Sequence, residues 1–318
     1  LKVIIHLSGE NPELPFAEIE GRGKLISRFT QLAIADFPEN FEFSILAYAH
    51  SALYYIGECE ASESAIHKLI SKKSLKSPGP FVVRVKAVQG CKSGTTTPEI
   101  ERMIGSLIKG DVSLSSPSVE YRGVLTDNRF FFGVLIYRAN YSLYSSRKPG
   151  NRPFFHPGVM MPKFARGLIN ISGLKSGEKM LDPFSGTGGI LIEATLLGIK
   201  AIGTDADPVM SRGSKINCSD TDVCSADALT LPFKDNSFEG VVTDLPYGQS
   251  SRIRAPDKNN LYLSAISEIS RVLIPGRKGV IVSNCELTWA ASNFFDDFAL
   301  YEHRVHKSLT RRVLVVQK

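Results

Sequence analysis

The sequence predicts an α/β protein in which a seven-stranded, mostly parallel sheet with helices on both faces follows a smaller α+β region. Three observations predict it. Beyond residue 150, short apolar runs alternate with helical spacings, the signature of strand–helix–strand units. The first of those runs ends in a glycine-dense turn, Asp182-Pro-Phe-Ser-Gly-Thr-Gly-Gly189. Before residue 150, neighbouring β runs are joined directly or separated by only three helical spacings.

The opening run over residues 2–7 is apolar enough for a strand, and residues 15–25 carry a mixed pattern that suits a helix stopping near Gly21 or Gly23. Two further stretches, 41–49 and 52–59, read as strands. Ala65, Ile66, Leu69 and Ile70 recur at helical spacing, so a helix is expected over 60–73, ended by Ser77-Pro78-Gly79-Pro80. Residues 81–88 have strong β character. Thr97-Pro98-Glu99 supplies an N-cap, a proline at the first helical position and an early acid, which predicts a helix over 97–108. Strands over 119–126 and 129–138 meet at Asp127-Asn128, a pair suited to a tight hairpin. Pro149-Gly-Asn-Arg-Pro153 is dense in breakers and marks a linker. After it, strands are expected over 179–182, 201–205, 223–225, 240–244, 279–283, 298–305 and 312–316. Helices are expected over 188–197, 209–217, 261–273 and 287–295.

A chain of 318 residues exceeds the roughly 100 to 200 residues of one typical core, so more than one domain is expected. Hydrophobic residues make up 43% and charged residues 22%, as in ordinary globular proteins, which excludes disordered and fibrous classes. No apolar run reaches the roughly 18 residues of a membrane-spanning helix, and the opening lacks the basic start and cleavage site of a secretory signal. A cytoplasmic protein without membrane association is expected. The five cysteines are scattered and form no Cys-x-x-Cys, so neither a disulfide framework nor a metal site is expected. Net charge is +6, unevenly spread: residues 1–59 hold 4 Lys/Arg against 8 Asp/Glu, residues 60–150 hold 14 against 7, and residues 151–318 hold 20 against 17. The middle segment is the basic one and suits an anionic polymer.

Open parallel sheets bind ligands beyond the carboxyl ends of their strands, and the candidate motifs fall there. Gly186, Gly188 and Gly189 after the first strand allow a sharp turn and close approach of a ligand to the main chain. Leu191 stands where a dinucleotide fingerprint has its third glycine, which argues against NAD. Asp205, closing the second strand, can accept from ribose hydroxyls, and Asp227, after the third, can receive an adenine amino group. Asp244-Leu-Pro-Tyr-Gly248 closes the fourth. An exocyclic amine on a base is a weak nucleophile because its lone pair is delocalised into the ring. The Asp244 carboxylate and the Leu245 carbonyl can each take one N–H, Pro246 keeps Leu245 extended, and Tyr247 can stack on the base, worth about 1–3 kcal/mol. The plainer reading is a β-turn after a buried strand, with Tyr247 covering the core.

Together, Asp182 to Gly189, Asp205, Asp227 and Asp244 to Gly248 resemble the ordered motifs of Rossmann-like S-adenosylmethionine-dependent methyltransferases. The resemblance implies Asp182, Phe184, Gly186, Gly188, Asp205, Asp227 and Ala228 as cofactor-binding residues, and Asp244, Leu245, Pro246 and Tyr247 as catalytic. Leu245 departs from the usual Asn/Asp-Pro-Pro-Tyr/Phe, but its carbonyl survives the replacement. Residues 59–144 resemble a THUMP domain, an RNA-binding module that captures tRNA ends. Leu7-Ser-Gly-Glu-Asn-Pro-Glu-Leu-Pro-Phe-Ala-Glu18, Arg152-Pro-Phe-Phe-His-Pro-Gly158 and Pro162-Lys-Phe-Ala-Arg166 resemble archaeal tRNA guanine-N2 methyltransferases acting at tRNA position 10. This implies a ferredoxin-like α+β domain (1–58), a THUMP domain (59–145), a linker (146–160) and a Rossmann-like class I methyltransferase domain (161–318), with S-adenosylmethionine as cofactor and tRNA as partner. Phe155, His156, Arg252, Arg254 and Arg311 are candidate substrate contacts, alongside the 306–312 turn. Some members of the family resemble one half of a heterodimer with a small zinc-binding activator. Two other readings use the same residues: an amino-methyltransferase acting on DNA adenine or cytosine, and a non-catalytic RNA-binding subunit.

Overall fold

The computed structural model describes residues 1–89, 91, 94–247 and 258–318. By contacts the chain divides into two units, Leu1–Ile19 with Gly23–Ser44 and Tyr48–Asn140, and Tyr141–Lys318 with the short pieces Glu20–Arg22 and Ile45–Ala47.

The first unit is built on β1 (Lys2–Leu7), α1 (Leu14–Arg22), β2 (Lys24–Phe29), β3 (Leu32–Asp36), β4 (Ala49–Glu60), α2 (Glu63–Lys73), β5 (Phe81–Ala87), α3 (Thr97–Leu107), β6 (Val119–Thr126) and β7 (Arg129–Arg138). All seven strands form one sheet, in the order β2-β3-β1-β4-β7-β6-β5. The long strand β4 pairs with β1 on one side and β7 on the other. The domain boundary expected at residue 58 therefore falls inside a strand, and the sheet runs through it. Asp127 and Asn128 turn β6 into β7 with φ of +49° and +58°, the left-handed pair of a two-residue hairpin. Glu99 accepts from the backbone N–H and hydroxyl of Thr96 at 2.9 and 2.7 Å, so the cap of α3 is Thr96, one residue before the expected Thr97. Ile66, Ile70, Ile100 and Ile104 of α2 and α3 pack on Phe81, Tyr121, Phe130 and Phe132 of the sheet.

One expected strand is absent and one hairpin is new. Residues 41–49 do not form a strand: Phe41 and Phe43 close on Phe37 with ring centroids 4.3 and 5.4 Å away, and the backbone makes a short 3₁₀ turn at Phe43–Ile45. The β2–β3 hairpin is an addition, turned through Gln31 at φ +55°.

The second unit contains α4 (Ser142–Ser145), α5 (Pro162–Ile171), β8 (Lys179–Asp182), α6 (Gly189–Leu196), β9 (Lys200–Asp205), α7 (Pro208–Asn217), β10 (Asp222–Ser225), β11 (Phe238–Asp244), α8 (Lys258–Val272), β12 (Leu273–Ser283), α9 (Thr288–Ala291), β13 (Asp297–His306) and β14 (Leu309–Gln317). Its sheet runs β10-β9-β8-β11-β12-β14-β13. The first five are parallel, and β14 lies antiparallel between β12 and β13. The chain works outward from β8 to β10 and returns to β11, so β8 and β11 flank the switch point where such sheets open a crevice. The helix expected over 287–295 shortens to α9, and α5 was not foreseen. Residues expected as the linker belong to this unit: Arg147 donates to the buried Glu193 at 2.7 Å, and the Asn217 side chain brackets the Phe154 backbone at 2.9 and 2.8 Å. Among the described residues, no helix is long and apolar enough to cross a membrane.

Phe130 is fully buried, with its ring against Gly123, where a Cβ would lie 2.3 Å away. Phe130→Ala is expected to cost about 3–5 kcal/mol of stability, read as a lower urea midpoint of the first unit's transition.

Candidate active site

β8 delivers Asp182 to the start of the glycine turn, and the turn depends on backbone that only glycine adopts readily. Gly186 and Gly188 have φ of +52° and +80°. A Cβ on Gly186 would meet nothing nearer than the Phe184 carbonyl at 4.0 Å, whereas one on Gly188 would lie 2.7 Å from both Cys218 Sγ and Ser214 Oγ. Gly186 thus faces open space, and Gly188 is a packing glycine outside the cavity lining. The Asp182 carboxyl is buried, accepts from the Thr243 hydroxyl at 2.7 Å and from Phe184 N–H at 3.3 Å, and is pushed up to about 7 by its burial. Nearby Asp244 and Asp205 push it the same way.

Asp205, at the end of β9, accepts from the N–H groups of Gly186 and Asp207 at 3.0 and 2.9 Å. Asp227, after β10, accepts from Leu229 N–H at 3.0 Å. These acids, with Phe184, Gly186 and Ala228, line a cavity of about 1400 Å³. Ser185 and Thr187 line it too, and their buried hydroxyls have no hydrogen-bond partner.

The opposite wall is Asp244-Leu-Pro-Tyr247, at the end of β11. Leu245 is buried and donates to the Val282 carbonyl at 2.9 Å, which continues the β11–β12 ladder. Tyr262 of α8 donates to the Pro246 carbonyl at 2.9 Å, and Lys258 to the Tyr247 carbonyl at 3.4 Å. The Tyr247 hydroxyl donates to Asp244 Oδ1 at 2.5 Å and accepts from Arg311 Nε at 3.1 Å. Burial pushes the Asp244 carboxyl up to about 6, against the pull of Arg311 and the Tyr247 hydrogen bond. Burial and the Asp244 charge push the Tyr247 phenol up.

His156 lines the cavity, while Phe155 is 55% exposed and does not. Arg311 lies behind the Asp244 wall with 5% of its surface exposed, so it supports the motif instead of lining the cavity. His306, Lys307, Ser308, Leu309, Thr310 and Arg312 of the β13–β14 turn do line it. Arg252 and Arg254 lie outside the described residues. Sequence reasoning missed Ser185, Thr187, Thr243, Tyr262 and Asn284. Of these, only Ser185 and Thr187 carried a signal, as hydroxyls inside the glycine turn. Among the described residues, no group of three or more His, Cys, Asp or Glu is placed to hold a metal ion.

A carboxyl that holds its proton more tightly folded than unfolded stabilises the fold below its ordinary value of 3.8 and loses that contribution as pH rises through about 7. Asp182→Asn is neutral throughout and keeps the acceptor for Thr243. Its thermal midpoint is expected to exceed the native one at about pH 8, with the difference vanishing near pH 4; an equal difference at both would contradict the burial argument.

The family model UPF0020, described as RMKL-like methyltransferase domain, matches residues 149–313. A tRNA (guanine(10)-N2)-dimethyltransferase from Methanothermobacter thermautotrophicus is 32% identical, with both chains covered in full. The protein of that name from Pyrococcus abyssi is 29% identical over 98% of each. Among solved structures, TrmN from Thermus thermophilus superposes with a TM-score of 0.52 at 18% identity over all of both chains, which supports the fold. The chain belongs to the UPF0020 methyltransferase family and, within it, to the group of archaeal tRNA (guanine(10)-N2)-dimethyltransferases.

Proposed function

We propose that this chain methylates the exocyclic N2 of the guanine at position 10 of tRNA, giving N2-methyl- and N2,N2-dimethylguanosine. The observation that carries the reading is that Gly186, Asp205 and Asp227 border the same cavity as Asp244 and Tyr247, at the β8/β11 switch point. One cavity thus offers a cofactor wall and an amine wall.

The residues present fit S-adenosylmethionine. Asp205 and Asp227 offer carboxylates at adjacent strand ends, Gly186 leaves its backbone open, and the buried Ser185 and Thr187 hydroxyls lack partners. When bound, this cofactor supplies an electrophilic methyl on a sulfonium. In the first transfer Asp244 and the Leu245 carbonyl accept the two N–H bonds of the amine, which aims the nitrogen lone pair away from the ring plane, and in the second Asp244 accepts the one N–H that remains. The ionised Asp244 then stabilises positive charge developing on nitrogen and takes the proton that nitrogen releases once the methyl is attached. Tyr247 stacks on the base, and Tyr262 and Lys258 hold the carbonyls of the motif so that its backbone is fixed before substrate arrives. A guanine paired in folded tRNA must leave its stack to enter, at a cost of a few kcal/mol.

The first unit supplies a tRNA surface in this reading, consistent with the THUMP resemblance. Arg84, Lys86, Arg122 and Arg138 line a concavity of about 380 Å³ on its sheet, where Glu120 is the acid that opposes them. A zinc-binding partner subunit is part of the proposal, supported by the edge strand β13, which leaves Phe298 and Val305 38% and 42% exposed.

Asp244→Asn is expected to lower single-turnover methyl transfer to tRNA by about 10²–10³-fold, with S-adenosylmethionine affinity, read by calorimetry, changed less than twofold. Unchanged transfer would remove Asp244 from the chemistry. Replacing Arg84 and Lys86 together by glutamate is expected to raise KM for tRNA about tenfold or more and to flatten its salt dependence, with cofactor affinity untouched.

A further inference from the structure

Arg311 is an unusual cation for a protein that handles RNA, because it does not face the solvent. It projects from β14, its side chain is 6% exposed, and its guanidinium lies 5.7 Å from the Phe164 ring centroid of α5. Its donors point inward: Nε to the Tyr247 hydroxyl at 3.1 Å, and one terminal nitrogen to the Gly158 carbonyl at 3.4 Å and to within 3.7 Å of Asp244 Oδ2. A guanidinium this enclosed, with Nε and one terminal nitrogen directed at protein partners, is turned away from a solvent-side phosphate.

The Tyr247 hydroxyl meanwhile sits on Asp244 Oδ1 at 2.5 Å. That oxygen is an acceptor the amine needs, so the phenol must give it up when a base enters. Once it does, the carboxylate loses that hydrogen bond. The groups that act on it are Asp182 from β8, Tyr262 from α8 and Arg311 from β14, while Lys258 of α8 bonds the carbonyl of the neighbouring Tyr247. Asp182 repels a negative charge there, and Lys258 is occupied by the Tyr247 carbonyl and Asn284.

We propose that Arg311 is a positioning residue for methyl transfer: it holds the Tyr247 hydroxyl and the Asp244 carboxylate together, and keeps the carboxylate charged and oriented when tyrosine yields to the substrate amine. The inference rests on the amine-clamp reading above and adds a role for a residue that touches neither base nor cofactor. The cation near Asp244 already opposes the effect of burial on its proton affinity. Removing it lets the carboxylate take up a proton at higher pH, where it no longer offers a charged acceptor to its one amine N–H.

The test compares the native chain with Arg311→Met, Arg311→Gln and the charge-keeping Arg311→Lys. Two readouts are used across about pH 5 to 9: single-turnover methyl transfer to a tRNA transcript, and titration of the Asp244 carboxyl by carbon NMR without substrate. In Arg311→Met and Arg311→Gln, the acid limb of the rate and the Asp244 midpoint should both move up by about one pH unit. KM for tRNA should stay within twofold, and Arg311→Lys should recover most of the shift. A rate loss equal at every pH with an unmoved carboxyl midpoint would make Arg311 a purely structural residue and overturn the proposal. A raised KM with an unmoved acid limb would make it an RNA contact, with the same consequence. If the native chain methylates no guanine, the functional reading fails, while the carboxyl titration still decides whether Arg311 controls Asp244.

Discussion

The Thr243 hydroxyl donates to Asp182 Oδ1 at 2.7 Å, and this bond between neighbouring strands ties the two halves of the site together. Asp182 opens the glycine turn on β8, and Thr243 precedes Asp244 on β11. Parallel pairing of these strands through Gly240↔Met180 and Val241↔Leu181 brings their carboxyl ends level. Two motifs about sixty residues apart in sequence thereby border one cavity. The site is a consequence of strand register before it is a collection of side chains.

That convergence has an electrostatic cost. Asp182, Asp205 and Asp244 gather at the tips of adjacent strands, where burial raises the proton affinity of Asp182 and Asp244 and the neighbouring acids add to it at Asp182. Each is compensated differently. Asp182 shares a hydroxyl and a backbone N–H, Asp205 takes two backbone N–H groups, and Asp244 has Arg311 and the Tyr247 phenol. The acids at the β8 and β9 ends are therefore compensated largely by the main chain, and Asp244 by a phenol and a cation. This asymmetry suits one wall to holding a ligand and the other to exchanging hydrogen bonds with it.

Sequence carried the acids better than what supports them. Asp182, Asp205 and Asp244 each follow an apolar run, so strand ends could be read directly, and Asp127-Asn128 announced the β6–β7 turn by residue type. The β2–β3 hairpin escaped because its left-handed residue is Gln31, which carries no turn preference. Helix α5 escaped because every residue except Lys163 is buried, Arg166 and Asn170 included, so no polar face marks its period. The aromatic run 41–49 was read as β because a local ring cluster and a buried strand share a composition. Tyr262 lies sixteen residues beyond Pro246 and Arg311 sixty-four beyond Tyr247. Their contacts exist only once the sheet is assembled, which is why Arg311 read as an RNA contact and is instead the backing of the motif. The boundary at residue 58 failed for a related reason, since composition changes there but the hydrogen-bond ladder of β4 does not stop.

The most direct test of the account is mass spectrometry of tRNA digests after incubating the purified chain with S-adenosylmethionine and a tRNA transcript. The account predicts methyl groups on N2 of the guanine at position 10 and no other modified nucleoside. Methylation of a ring nitrogen, of the ribose or of a different base would contradict a clamp that grips an exocyclic amine between the Asp244 carboxylate and the Leu245 carbonyl.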